Sequence, residues 1–158
     1  MVGRSRSNSI LVSMIYNQFI PKAGEVKIPP EFTQYKCLIL NEYKIDEEYR
    51  WTVSEHLVET GCRWMLAWGI DGTLWDVSVD WVEINKFPPE IEGPDDEFVM
   101  TTWHDNDALE EVIHFTKFGA VETYDAKPLH DVVILDLSDI NREDYVPVLY
   151  SKMEQGDH

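Results

Sequence analysis

Basic residues are scarce in this chain of 158 residues: 13 Lys and Arg stand against 30 Asp and Glu, a formal net charge of −17. Proteins that grip nucleic acid present cationic patches to the phosphates, so direct DNA or RNA binding is set aside. Cysteine is scarcer still. Cys37 and Cys62 are the only two, each at the front of an apolar run, and neither has a second Cys or His nearby to complete a metal set. Two thiols in a chain long enough to bury its own core argue against a disulfide scaffold and fit free thiols in a reducing compartment. No apolar run reaches the roughly 20 residues of a membrane span. Arg4 and Arg6 precede the short run Ile10 to Tyr16, but Asn17 and Gln18 follow it with no small-residue cleavage site, so a signal peptide is not read there. The expected location is the cytoplasm. Glycine is sparse as well, and Gly69 and Gly72 have neither the Walker nor the dinucleotide spacing of a phosphate loop.

What is present is a folding composition. Apolar residues make up 44% of the chain, with six Trp, seven Tyr and six Phe, enough for one domain with a real core and too short for two. The expected organisation is a tail over 1–9, a single domain over 10–150 and a second tail over 151–158. Residues 10–35 hold an apolar run and a Pro- and Gly-rich stretch suited to a loop or edge strand.

From residue 36 the pattern alternates. Short continuous apolar runs near 37–41, 64–68, 98–102 and 131–136 predict strands buried on both faces. Helices are expected near 46–60, 73–86 and 106–118. Asp46 is a cap for the first, followed by Glu47 and Glu48 in a first turn that favours negative charge, and Gly61 ends it. Its buried stripe is Tyr49, Val53 and Leu57. The second helix is expected to be capped by Thr73 and to bury Leu74, Val77, Trp81 and Ile84. The third is expected to start at Asn106 or Asp107, with Glu110 completing a capping box with Asp107, to bury Leu109, Val112, Ile113 and Thr116, and to stop at Gly119. This βαβαβαβ order predicts an α/β domain with Rossmann-like or flavodoxin-like layering, a mainly parallel sheet of four or slightly more strands with helices on its faces.

In such sheets a ligand crevice lies beyond the carboxyl ends of the strands. Reading those ends gives Asn41 and Glu42, then Trp68 and Asp71, then Thr102, Trp103, His104 and Asp105, and last Asp136. The candidate crevice is drawn from Trp68, Asp71, Thr102, Trp103, His104, Asp105 and Asp136. The stretch "GIDGT", residues 69 to 73, resembles the Asp-x-Asp-Gly-Thr motif of the haloacid dehalogenase superfamily. That resemblance implies a nucleophilic carboxylate at the first Asp position, where this chain has Gly69. A glycine has no side chain to attack phosphorus, so a phosphatase of that type is not expected. Glu110 and Glu111 precede His114 by four and three residues, but a di-metal helix site needs a second copy, and none exists. An ion pair between Glu110 and His114 is expected instead. His104 between Trp103 and Asp105 reads first as structural. His56 is placed on the exposed side of its helix. No metal or cofactor is expected.

The acid is unevenly placed. Residues 65–116 carry thirteen Asp or Glu against Lys86 alone. Asp76, Asp80 and Glu83 recur at helical spacing, on the side read as exposed, and Glu90, Glu92, Asp95, Asp96 and Glu97 crowd the loop after that helix. Like charges at this spacing cost a helix a few tenths of a kcal/mol each, a cost that docking to a basic protein would explain. Acidic proteins that neutralise basic nuclease toxins have such surfaces. The leading expectation is a binding protein of immunity or inhibitor type with a basic protein partner, and the alternative is a small enzyme or ligand-binding domain using the crevice. The segments "AWGID", "VMTTWHD" and "LEEVIHF" are similar to those of small bacterial α/β proteins with a Trp-Gly and a Thr-Thr-Trp-His pattern. That resemblance spans roughly residues 36–138 and implies the same fold.

Overall fold

The structure is a computed structural model that describes residues 13–86, 98–121 and 128–155. Among the described residues five strands and four α-helices follow in the order β1 (Ile15–Phe19), β2 (Tyr35–Asn41), α1 (Glu47–Thr60), β3 (Cys62–Gly69), α2 (Gly72–Lys86), β4 (Met100–His104), α3 (Leu109–Phe118), β5 (Val132–Leu137) and α4 (Val146–Lys152). The strands form one sheet in the order β1-β5-β2-β3-β4, and every pairing is parallel. This is the α/β layering read from the alternation, with β1 and α4 added at its ends.

Register explains which residues are core. In β2, Cys37 and Ile39 point to one face, where Met65, Ala67, Val133 and Leu135 join them under Val53 and Leu57 of α1 and Trp75 and Val79 of α2. Leu38 and Leu40 point to the other, with Leu66, Val132 and Ile134 under Val112 and Ile113 of α3 and Val146 and Tyr150 of α4. Central strands covered on both faces are continuously apolar, which made them readable. Both cysteines are free and buried in the first layer, and burial pushes the Cys62 thiol up to about 12, so neither is a nucleophile at neutral pH.

The caps of α1 are as expected. Asp46 accepts from the Glu48 N–H at 3.2 Å, and Gly61 closes the helix in the left-handed region with φ 107°. Two other cap expectations are corrected. Helix α2 begins at Gly72, so Thr73 lies inside its first turn. The carbonyl of Asp71, itself at φ 59°, accepts the Leu74 N–H at 3.0 Å. Helix α3 is preceded by Ala108 with no side-chain cap, because the Asp107 carboxylate is taken by His104.

The main correction concerns the orientation of α2. Leu74, Val77, Trp81 and Ile84 are 43%, 49%, 52% and 47% exposed. The buried residues are Gly72, Trp75, Ser78, Val79, Val82 and Glu83. The helix has a second apolar face, and that one meets the core. Its register is pinned by polar links: the Ser54 and Ser78 hydroxyls meet at 2.9 Å, Glu83 accepts the Val99 N–H at 2.8 Å, and the Thr101 hydroxyl donates to Asp76. In α3, by contrast, Val112, Ile113 and Thr116 are buried as expected, with Leu109 packed against them. His56, expected outside, is half-buried.

Candidate functional site

The sheet changes direction between β5 and β2, since β2 leads to α1 on one face and β5 to α4 on the other. At that switch point the fold places ligands beyond Asn41 and Asp136. Asn41 Nδ2 donates to the Ile70 carbonyl at 2.8 Å, its buried Oδ1 has no hydrogen-bond partner among the described residues, and the groups around Asp136 satisfy one another. Asp136, fully buried, accepts from the Ser138 hydroxyl at 2.7 Å, the Arg142 backbone N–H at 3.1 Å and the Arg142 Nη1 at 3.2 Å. Arg142 Nη1 also donates to Ser138 Oγ at 3.0 Å, Nη2 donates to Glu42, and the guanidinium stands 5.8 Å from the Trp68 ring centroid. Burial raises the Asp136 carboxyl above its ordinary range, opposed by the Ser138 hydroxyl and Arg142. Arg142 was not singled out from the sequence. The signal was a carboxylate inside the apolar run "VVILDL", since a buried charge needs a partner, and Arg142 is the first basic residue after it.

Trp68, Thr102, His104 and Asp105 among the other crevice candidates are engaged as well. Trp68 Nε1 donates to the Asp107 carbonyl at 2.9 Å. His104 meets Thr102 Oγ1 through Nε2 at 2.9 Å and Asp107 Oδ2 through Nδ1 at 3.1 Å, and its ring lies 5.5 Å from that of Phe115. Hydroxyl, imidazole and carboxylate in this order form a nucleophilic relay in some enzymes. Here the Thr102 oxygen also accepts the Trp64 indole N–H at 3.2 Å, so the chain of bonds ties β4 to β3 and α3. Asp105 Oδ1 accepts the Gly72 N–H at 3.2 Å, at the N-terminus of α2, where a carboxylate is favoured. A Cβ on Gly72 would stand 2.6 Å from Trp103 Cβ and 2.4 Å from Asp105 Oδ1, so only glycine permits this approach. Trp103 projects from the same corner and is 49% exposed. The expected pair of Glu110 and His114 gives way to another contact: the Tyr145 hydroxyl donates to Glu110. Among the described residues no group of three His, Cys, Asp or Glu could hold a metal, and no helix is long and apolar enough to cross a membrane.

The acidic candidates separate. Asp80 is exposed and Asp76 half-buried. Glu83 is only 7% exposed, which corrects its placement on an open acidic face, and burial pushes its carboxyl up to about 7. Glu90, Glu92, Asp95, Asp96 and Glu97 lie outside the described residues. The open surface is apolar at its centre: Leu74, Val77, Trp81 and Ile84 along α2, with Ile70 just before the helix and Trp103 beside its first turn.

A family model covers residues 18–153, nearly the whole described domain. The chain belongs to the domain of unknown function DUF7684. No curated protein and no solved structure matches it.

Proposed function

We propose that this DUF7684 member is a binding protein whose α2 face docks a basic, amphipathic protein segment. The observation that carries the reading is the exposed stripe of Leu74, Val77, Trp81 and Ile84. Four large apolar side chains in one helical row are more than scattered surface residues, and contiguous exposed patches of this kind mark interaction sites. Trp81 and Trp103 supply the aromatic anchors that dominate binding energy. Asp76 and Asp80 flank the stripe on the side of β4, within a chain of net charge −17. That sign favours a cationic partner and opposes a second copy of the same chain, whose acids would face their equals. The carboxylates act as a rim that steers encounter around an apolar centre. A basic toxin held by an immunity or inhibitor protein in the cytoplasm fits this chemistry. The enzyme reading has less support, because Arg142 and the His104 nitrogens are already engaged across the crevice.

The test is a titration with a synthetic helical peptide carrying Leu on one face and Lys on the other, read by tryptophan fluorescence. Binding should weaken by roughly tenfold or more from low to high salt, as steering and screening require. Equal affinity for a Leu and Glu peptide would overturn the proposal, as would a stable dimer of the chain that hides α2.

A further inference from the structure

A second binding feature lies at the opposite end of the sheet, at the amino-terminal ends of the strands, and rests on lysine in a chain that has little. Lys36 is the second residue of β2, and its position in the alternation turns it toward α3 and α4. The residue is 1% exposed. The ammonium donates to the Lys117 carbonyl in the last turn of α3 at 3.1 Å and lies 5.8 Å from the Tyr150 ring centroid. Lys117 points onward: its Nζ donates to the carbonyls of Tyr150 at 2.7 Å, Ser151 at 3.3 Å and Met153 at 2.8 Å. Both cations therefore sit at helix C-termini, where the dipole favours positive charge.

The two lysines differ in what they leave over. An ammonium has three N–H donors. Lys117 uses all of them, whereas Lys36 has one hydrogen-bond partner among the described residues. None of the ion pairs between described residues includes Lys36. Burying a charge without a counterion is costly, and burial together with the charge of Lys117 pulls the Lys36 amine down to about 8. A cavity of about 310 Å³ opens beside it, lined by Lys36 with His130 and Tyr150 among its polar residues and Phe118, Val121 and Leu129 among its apolar ones. That volume is at the lower end of the roughly 300 to 1,000 Å³ of small-molecule sites.

We propose that this cavity binds a small organic monocarboxylate, its head group on the Lys36 ammonium and its apolar part against Phe118, Val121 and Leu129. The two donors of Lys36 that no described residue takes match the two oxygens of one carboxylate, and a charge-assisted bond is the strong kind. The apolar wall selects for a tail. A free phosphate offers no apolar part for that wall. The site is independent of the α2 face, so either can fail without the other.

Hexanoate and its neutral counterpart hexanol, titrated into the full chain and followed by calorimetry, decide the matter. Hexanoate should bind, hexanol at least tenfold more weakly, and Lys36→Met should weaken hexanoate by at least tenfold while the circular dichroism of the fold persists. Val121→Trp, which fills the cavity, should abolish binding. If Lys36→Met does not fold, the contrast of hexanoate with hexanol on the native chain decides alone. No binding of hexanoate, equal binding of hexanol, or an unchanged affinity in folded Lys36→Met would each overturn the proposal.

Discussion

Helices α2 and α3 lie on opposite faces of one sheet, and they spend their apolar residues differently. Helix α3 buries Val112, Ile113 and Thr116 and turns Glu110 and Glu111 to solvent, the ordinary arrangement of a surface helix. Helix α2 buries Trp75, Val79 and Val82 and still presents Leu74, Val77, Trp81 and Ile84 outside. Between these faces run Asp76 and Glu83, which hold β4 through Thr101 and Val99. The core accounts for one apolar face of α2. The other needs a reason outside the core, and a partner supplies it.

The comparison breaks most sharply at two tryptophans of the same helix. Trp75→Ala empties a fully buried site and should cost about 3–5 kcal/mol in urea unfolding. Trp81→Ala should change stability by no more than about 0.5 kcal/mol, as for a surface position. Equal costs would mean that α2 turns its faces the other way. In α3, Ile113→Ala should fall at about 2–5 kcal/mol, as for other buried truncations.

Those two tryptophans also mark where the sequence stops being legible. The strands β2, β3 and β5 are readable because both their faces are buried, so apolar runs stand out against polar flanks. Strand β1 is half-buried throughout and mixes Asn17 and Gln18 into its run, and α4 has only seven residues, too few for a helical period. In α2 the difficulty is of another kind. Periodicity finds an apolar face but cannot choose between two of them, and the choice is made by long-range contacts such as Ser54 with Ser78. The strand-end residues stand at the carboxyl ends of their strands, and the contact of Asp136 with Arg142, six residues on, is one that no local pattern announces. Lys36 was hidden likewise inside a strand, its burial set by Lys117 and Tyr150 far along the chain.

The next effect concerns pH. In the folded chain the Glu83 carboxyl stands at about 7 against an ordinary 4.5. Between those values the native state holds a proton that the unfolded chain has released, so Glu83 makes stability fall as pH rises from about 4.5 to about 7. Glu83→Gln keeps an acceptor for the Val99 N–H and removes that slope. Above pH 7 it should be more stable than the parent by about 2 kcal/mol, the shift being discounted for solvent screening. A slope identical in the two proteins would show that Glu83 is not the group responsible. Glu83→Lys should fail to fold properly, so charge reversal on this helix is confined to Asp76 and Asp80.

A smaller effect separates the crevice from the helix face. His104→Ala removes the bonds to Thr102 and Asp107 and should lower stability by about 1–2 kcal/mol, measured by thermal unfolding. Binding of the Leu and Lys peptide should be unchanged. Lost binding with unchanged stability would restore His104 as part of a site.

The most direct measurement is the affinity of that peptide for the double variant Leu74→Ser with Trp81→Ser, set beside the parent chain at low salt. Both positions are exposed, so the fold should persist and its unfolding midpoint should hold or rise slightly. Peptide binding should drop at least tenfold, as expected when an aromatic anchor is lost from the centre of an interface. A folded double variant that binds the peptide as tightly as the parent would contradict the account.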